Sequence, residues 1–96
     1  MDIHSLLEEK RDEIEALAAQ YGVRKLRVFG SAARGDTTSA SDIDFLVELE
    51  PGRSVMDLGG LLMDLQDLLG CDVDVVTERS LRPRIREKVL NEARPL

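Results

Sequence analysis

The sequence predicts a small α/β (α+β) domain, in which helices pack on a mixed three-stranded sheet of strand order 1-2-3. Short apolar segments, rich in β-branched residues or alternating with polar ones, predict the strands. Apolar residues repeated at intervals of three and four predict the helices. The 96 residues suffice for one hydrophobic core, so we expect residues 1–96 to form a single domain.

The first predicted helix runs from about Asp2 to Gln20, because its apolar residues recur at helical spacing and Gly22 then supplies a stop signal. Between the first two strands, residues Ser31 to Arg34 are expected to form no more than one helical turn. Phe29 and Phe45 occupy apolar strand positions and are expected in the core. The strands themselves are predicted over residues 25–29, 43–49 and 73–77.

A long helix is predicted between the second and third strands. Ser54, followed three residues later by Asp57, resembles a capping box that begins this helix, and its apolar repeat ends at Leu69. Gly59 and Gly60 interrupt the helix at a cost of about 1 kcal/mol each relative to alanine. Close approach of another backbone would explain such a pair.

The order of the elements constrains the sheet. A helix between the second and third strands makes a βαβ unit, so these two strands should be parallel. If Gly30 and Asp42 belong to one site, the first strand ends where the second begins, and this pair is antiparallel.

A last helix begins near Pro83, which is tolerated only in a first turn. Its apolar residues are Leu81, Ile85 and Val89.

Composition and charge exclude several classes of protein. Thirteen basic and 19 acidic residues give a net charge of −6, which argues against direct binding of nucleic acid. No apolar stretch has membrane-spanning length and no signal peptide is recognisable, so we expect a cytoplasmic protein without membrane contact. The single cysteine, Cys71, cannot form an internal disulfide, in agreement with a reducing compartment.

Three aspartates form the candidate site. Asp42 and Asp44 point to the same sheet face because side chains alternate along a strand, and Asp74 lies in the adjacent parallel strand. Carboxylates brought so close would repel each other and raise their own pKa values. Divalent cations remove that conflict, so the sequence predicts two Mg²⁺ ions bound together with the phosphate oxygens of a substrate. Asp72 is interpreted as a solvated neighbour.

Gly30 and Ser31 supply the complementary phosphate site. Glycine lets the backbone approach a phosphate, and the following helical turn aims free N–H groups at it. The Ser31 hydroxyl can donate to a terminal phosphate oxygen. Arg34, one turn further, has two interpretations of equal weight: a charge-assisted bond to the phosphates, or a structural ion pair.

These motifs resemble those of a known superfamily. Gly30-Ser31, followed by Asp42-Ile43-Asp44, resembles the signature of the DNA polymerase β-type nucleotidyltransferases. Arg34-Gly35-Asp36 and Val73-Asp74-Val75-Val76 narrow the resemblance to the minimal nucleotidyltransferases of bacteria and archaea. The resemblance implies that Asp42 and Asp44 bind both metals and that Asp74 is the third carboxylate, which helps to deprotonate the attacking hydroxyl. It also implies transfer of a nucleoside monophosphate from an NTP, expected to be ATP.

The resemblance further implies a protein partner. Minimal nucleotidyltransferases are commonly paired with a helical HEPN-domain toxin, which they are thought to neutralise by adding AMP to a tyrosine hydroxyl. Two alternatives stay open. The protein could neutralise its partner by contact alone, through the apolar faces of the long helix. It could also transfer the nucleotide to a small molecule, although so short a chain offers little pocket wall.

Overall fold

The computed structural model describes residues 3–30, 33 and 43–96 and confirms the predicted α/β class. None of the helices in this part of the chain is long and apolar enough to cross a membrane. The elements are α1 (Ile3–Glu9), α2 (Arg11–Gln20), β1 (Val23–Phe29), β2 (Ile43–Leu49), α3 (Val55–Leu69), β3 (Val73–Thr77), a 3₁₀ turn (Glu78–Ser80), α4 (Pro83–Glu92) and β4 (Arg94–Pro95).

The sheet has the order β3-β2-β1-β4. As predicted, β1 and β2 are antiparallel and β2 and β3 are parallel. The prediction of three strands was wrong by one, because β4 pairs with the other side of β1. This strand has only two residues, Arg94 and Pro95, which is too short for any alternation of polar and apolar residues to show.

The single first helix predicted from the sequence is two helices, α1 and α2. They meet at Lys10, whose φ of −99° and ψ of 7° depart from helical values. Between the buried residues Leu7 and Ile14 lie six residues, all of them charged. No apolar side chain therefore holds this stretch against the core, and the helix is interrupted there.

The core lies between one face of the sheet and helices α1, α2 and α3. Phe45 at its centre is fully buried, as predicted. Phe29 was wrongly assigned to the core: it is half-buried, and it pairs across the strands with Asp44, which belongs to the other face. The buried cluster consists of Ile3, Leu7, Ile14, Val28, Ile43, Phe45, Val47, Leu61, Leu65, Leu69 and Val73.

Helix α3 begins and ends as predicted. Ser54 and Asp57 form a reciprocal capping box, and Gly70 closes the helix in the left-handed conformation. The two glycines inside the helix have different surroundings. A Cβ at Gly60 would lie 2.6 Å from Cε1 of Tyr21, whereas a Cβ at Gly59 would meet nothing within 4 Å.

The Tyr21 ring lies over Gly60 because its hydroxyl donates a hydrogen bond to Oδ2 of Asp64, at 2.5 Å. This bond to a carboxylate raises the pKa of Tyr21 above its usual value. The expectation that another backbone approaches the glycine pair was wrong: within the described chain the close neighbour is the Tyr21 side chain, and it concerns Gly60 alone.

Alanine substitutions at the two glycines should have opposite effects. In dilute solution, Gly59→Ala should raise the free energy of unfolding by about 1 kcal/mol, because alanine favours the helix and meets open space. Gly60→Ala should lower it by about 1 kcal/mol, because the new methyl group displaces the Tyr21 ring. Urea unfolding measures both, and equal changes in the two variants would contradict this packing.

Candidate functional site

The strand register brings two of the predicted acids together. In the parallel pair β2–β3, Asp44 is the direct neighbour of Asp74, and Ile43 is the neighbour of Val73. Ile43 and Val73 are buried in the core, so the next residue along each strand points to the opposite face. Adjacent strands are about 4.8 Å apart. Asp44, which is half-buried, and Asp74, which is exposed, therefore lie side by side on one face.

Gly30 lies directly against the Asp44 carboxylate of this pair. It follows β1, whose last residue Phe29 is opposite Asp44 in the antiparallel ladder. Gly30 has a φ of +69°, and a Cβ built there would lie 2.6 Å from Oδ2 of Asp44. Both the backbone conformation and the neighbouring carboxylate therefore require glycine at this position.

Gly30→Ala should displace the Asp44 carboxylate and lower activity by about a hundredfold, since small misplacements of a reacting group are costly. The matched control is Gly52→Ala. Gly52 also has a positive φ, of +90°, but a Cβ there meets nothing within 4 Å. Both variants carry backbone strain, and only Gly30→Ala should lose activity in a steady-state assay. Equal losses would show that strain alone explains the requirement for glycine.

Three of the six predicted site residues are described, and the structure brings these three together: Gly30, Asp44 and Asp74. The other three, Ser31, Arg34 and Asp42, lie outside the described residues. Ala33, inside the predicted short turn, is helical.

Two neighbouring carboxylates fit a divalent cation, which prefers oxygen ligands. Within residues 3–30, 33 and 43–96, no three acidic, histidine or cysteine side chains form a group that could hold a metal. Asp44 and Asp74 are two of the three predicted ligands, and Asp42 would be the third. Carboxylate oxygens of this kind are compatible with Mg²⁺, which prefers oxygen ligands.

The sequence analysis missed two residues of the same sheet face. Phe29 pairs with Asp44, and Arg27 pairs with Leu46, two positions further along β2. The Nε atom of Arg27 is buried and has no hydrogen-bond partner in the described part of the chain. Both residues could have been placed on this face from the sequence, because side chains alternate along β1 and residues 27 and 29 therefore lie on the face opposite Val28. Arg27 adds positive charge to the face that carries the acids.

Known proteins resemble this chain in sequence and in architecture. Residues 8–96 match the family described as nucleotidyltransferase domain. A protein of Methanocaldococcus jannaschii, named for a proposed protein adenylyltransferase activity, is 39% identical over 87 residues, which are 91% of this chain and 94% of the relative. The protein adenylyltransferase MntA of Thermococcus cleftensis is 38% identical over 91 residues, 95% of this chain and 89% of the relative.

Comparison with solved structures points to the same family as these relatives. One, described as a minimal nucleotidyltransferase, has 47% identity and a TM-score of 0.88, and the match covers 100% of this chain and 97% of that one. Another, from a toxin–antitoxin complex of MntA, has 26% identity and a TM-score of 0.73, covering 90% of this chain and 70% of that one. The chain therefore belongs to the nucleotidyltransferase family and, within it, to the minimal nucleotidyltransferases.

Proposed function

We propose that this enzyme transfers AMP from ATP to a hydroxyl group of a partner protein, and that the partner is a HEPN-domain toxin for which the chain is the antitoxin. The relatives named protein adenylyltransferase support the reaction, and the MntA complex supports the pairing. The observation that carries the proposal is the adjacency of Asp44 and Asp74, with Gly30 against the Asp44 carboxylate. ATP as the donor also favours the cytoplasm as the location.

In the proposed reaction the acceptor hydroxyl oxygen attacks the α-phosphorus of ATP. A new O–P bond forms, the bond from the α-phosphorus to the bridging oxygen breaks, and pyrophosphate leaves with that electron pair. The hydroxyl proton passes to the Asp74 carboxylate. Asp74 suits this role because it is exposed and β3 is an outer strand of the sheet, where a second protein can reach it.

Asp44 would lie on the side of the reacting centre that faces the triphosphate, whereas Asp74 would face the acceptor hydroxyl. It is less exposed than Asp74 and adjoins Gly30, where the predicted phosphate site begins. Ser31 and the backbone after Gly30 would hold the triphosphate, with Arg34 as a further candidate. Asp42, Asp44 and Asp74 would hold two Mg²⁺ ions. When bound, these ions would neutralise the carboxylates and the charge that develops on the attacking and leaving oxygens.

The test is the intact mass of the partner after incubation with ATP and Mg²⁺. A HEPN-domain protein encoded beside this chain should gain one or more AMP units with the wild-type enzyme, and none with Asp44→Asn. Its RNase activity should fall in parallel with the modification. Full neutralisation by Asp44→Asn without any mass change would contradict the proposal and favour inhibition by contact alone.

A further inference from the structure

Strand β3 has a free outer edge. It is an outer strand of the sheet, and β2 is its neighbour. The N–H of Ile43 donates to the C=O of Asp72, so in the parallel ladder the backbone groups of Asp74 also point toward β2. The N–H and C=O groups of Val73 and Val75 alternate with these and therefore point away from β2.

The outward groups of Val73 and Val75 have no hydrogen-bond partner in the part of the chain that the structure describes. The edge ends at Thr77, whose N–H and C=O both bond to the Ser80 hydroxyl, at 3.3 and 2.8 Å. The other outer strand, β4, has only two residues, and one of them, Pro95, lacks an N–H. A row of unpaired donors and acceptors is a template for a further strand, and β3 offers the better one.

The free edge adjoins the carboxylate site. Asp74 lies between the two valines and is exposed, on the face that carries Asp44. Residues directly opposite on neighbouring strands are about 5 Å apart, with their side chains on the same face. A residue opposite Asp74 on an added strand would therefore continue a row across the sheet. Next in this row come Asp74 and then Asp44, with Gly30 against the Asp44 carboxylate.

We propose that an extended segment of the acceptor protein adds to β3 as a strand, through the N–H and C=O groups of Val73 and Val75. The residue of that segment opposite Asp74 carries the hydroxyl that receives AMP. This inference rests on the proposed function and specifies its acceptor: a serine, threonine or tyrosine in an extended segment. The edge selects an extended polypeptide because only such a backbone presents the matching row of donors and acceptors.

Charge favours a segment of another protein over a second copy of this chain. Two β3 strands paired antiparallel in the register that uses both valines would set Asp74 directly opposite Asp74 of that copy. Like charges in that position are destabilising. The chain has a net charge of −6, and Asp72 is also exposed beside the edge. The segment that fits is therefore neutral or basic next to its hydroxyl residue.

The first test is backbone amide exchange of the wild type, followed by NMR without ATP. The chain is measured alone and with an excess of the HEPN-domain protein of the proposed function. The amides of Val73 and Val75 should exchange rapidly in the free chain and at least about tenfold more slowly with the partner. The amides of Asp74 and Val76, which face β2, are internal controls and should be protected in both states. Unchanged exchange at the two valines would overturn the inference.

The second test removes the outward N–H of Val75. Val75→Pro does so without removing a bond to β2, because proline is tolerated where the N–H points away from the sheet. Val75→Ala is the matched variant, since it also shortens the side chain but keeps the N–H. The KM for the partner should be at least about tenfold higher in Val75→Pro than in Val75→Ala, whereas both should bind ATP with Mg²⁺ equally tightly. Equal KM values would overturn strand addition, and amide exchange of the wild type decides the question even if Val75→Pro does not fold.

These measurements separate the docking from the reaction. Transfer of AMP to the partner with unchanged exchange at Val73 and Val75 would overturn strand addition and leave the proposed function standing. Slower exchange at the two valines without any transfer would support the edge as the docking site and contradict the proposed reaction.

Discussion

Replacing Asp44 or Asp74 by asparagine should lower the rate of nucleotidyl transfer by about a thousandfold and leave the fold intact. Asparagine keeps the shape of the side chain and removes the negative charge that a divalent cation requires. The two residues are direct neighbours on β2 and β3, so either change alters the same cluster of oxygens. Release of pyrophosphate measures the rate, and urea unfolding checks stability.

Asp72→Asn is the matched control for this prediction. Asp72 is exposed and immediately precedes β3, where its backbone oxygen accepts a hydrogen bond from the Ile43 N–H at 3.1 Å. This contact does not involve the side chain, so the variant should retain near wild-type activity. If Asp72→Asn were as inactive as Asp74→Asn, the assignment of the third carboxylate to Asp74 would be wrong.

Phe45→Ala should lower the free energy of unfolding by about 3–5 kcal/mol, the largest effect on stability that we expect from a single substitution. Phe45 is fully buried at the centre of the sheet, so the variant loses apolar contacts and gains a cavity. Domains of this size are stabilised by only about 5–15 kcal/mol, so the variant should be partly unfolded at moderate temperature.

Met63→Ala is the control for Phe45→Ala. Met63 lies on α3 and is 66% exposed, so its truncation should change the free energy of unfolding by less than about 0.5 kcal/mol. Urea unfolding in dilute solution compares the two variants. A cost below about 1 kcal/mol for Phe45→Ala would contradict the position of the core.

Much of the sheet could be predicted because its signals are local. The bounds of β2 and β3 agree with the prediction, since each is an apolar run whose limits are marked by polar or turn residues. The helix between them required parallel pairing, and this pairing was enough to anticipate that Asp44 and Asp74 would meet. Ser54 and Asp57 likewise fixed the beginning of α3 through a contact between near neighbours in sequence.

The features that were missed depend on contacts between distant parts of the chain. Strand β4 exists because Arg94 and Pro95 reach the free edge of β1, which no local pattern reveals. The reason for Gly60 is Tyr21, a residue in another part of the sequence. Phe29 was assigned to the core by its hydrophobicity alone, whereas the alternation of side chains along β1 places it on the sheet face that carries Asp44.

The most direct test of the carboxylate site is the equilibrium binding of ATP in the presence of Mg²⁺ and in the presence of EDTA. The wild type should bind ATP tightly only with the cation, and Asp44→Asn and Asp74→Asn should each weaken that binding by at least about tenfold. ATP binding that is equally tight in EDTA, or unchanged in both variants, would contradict a site in which these neighbouring carboxylates hold a metal-bound triphosphate.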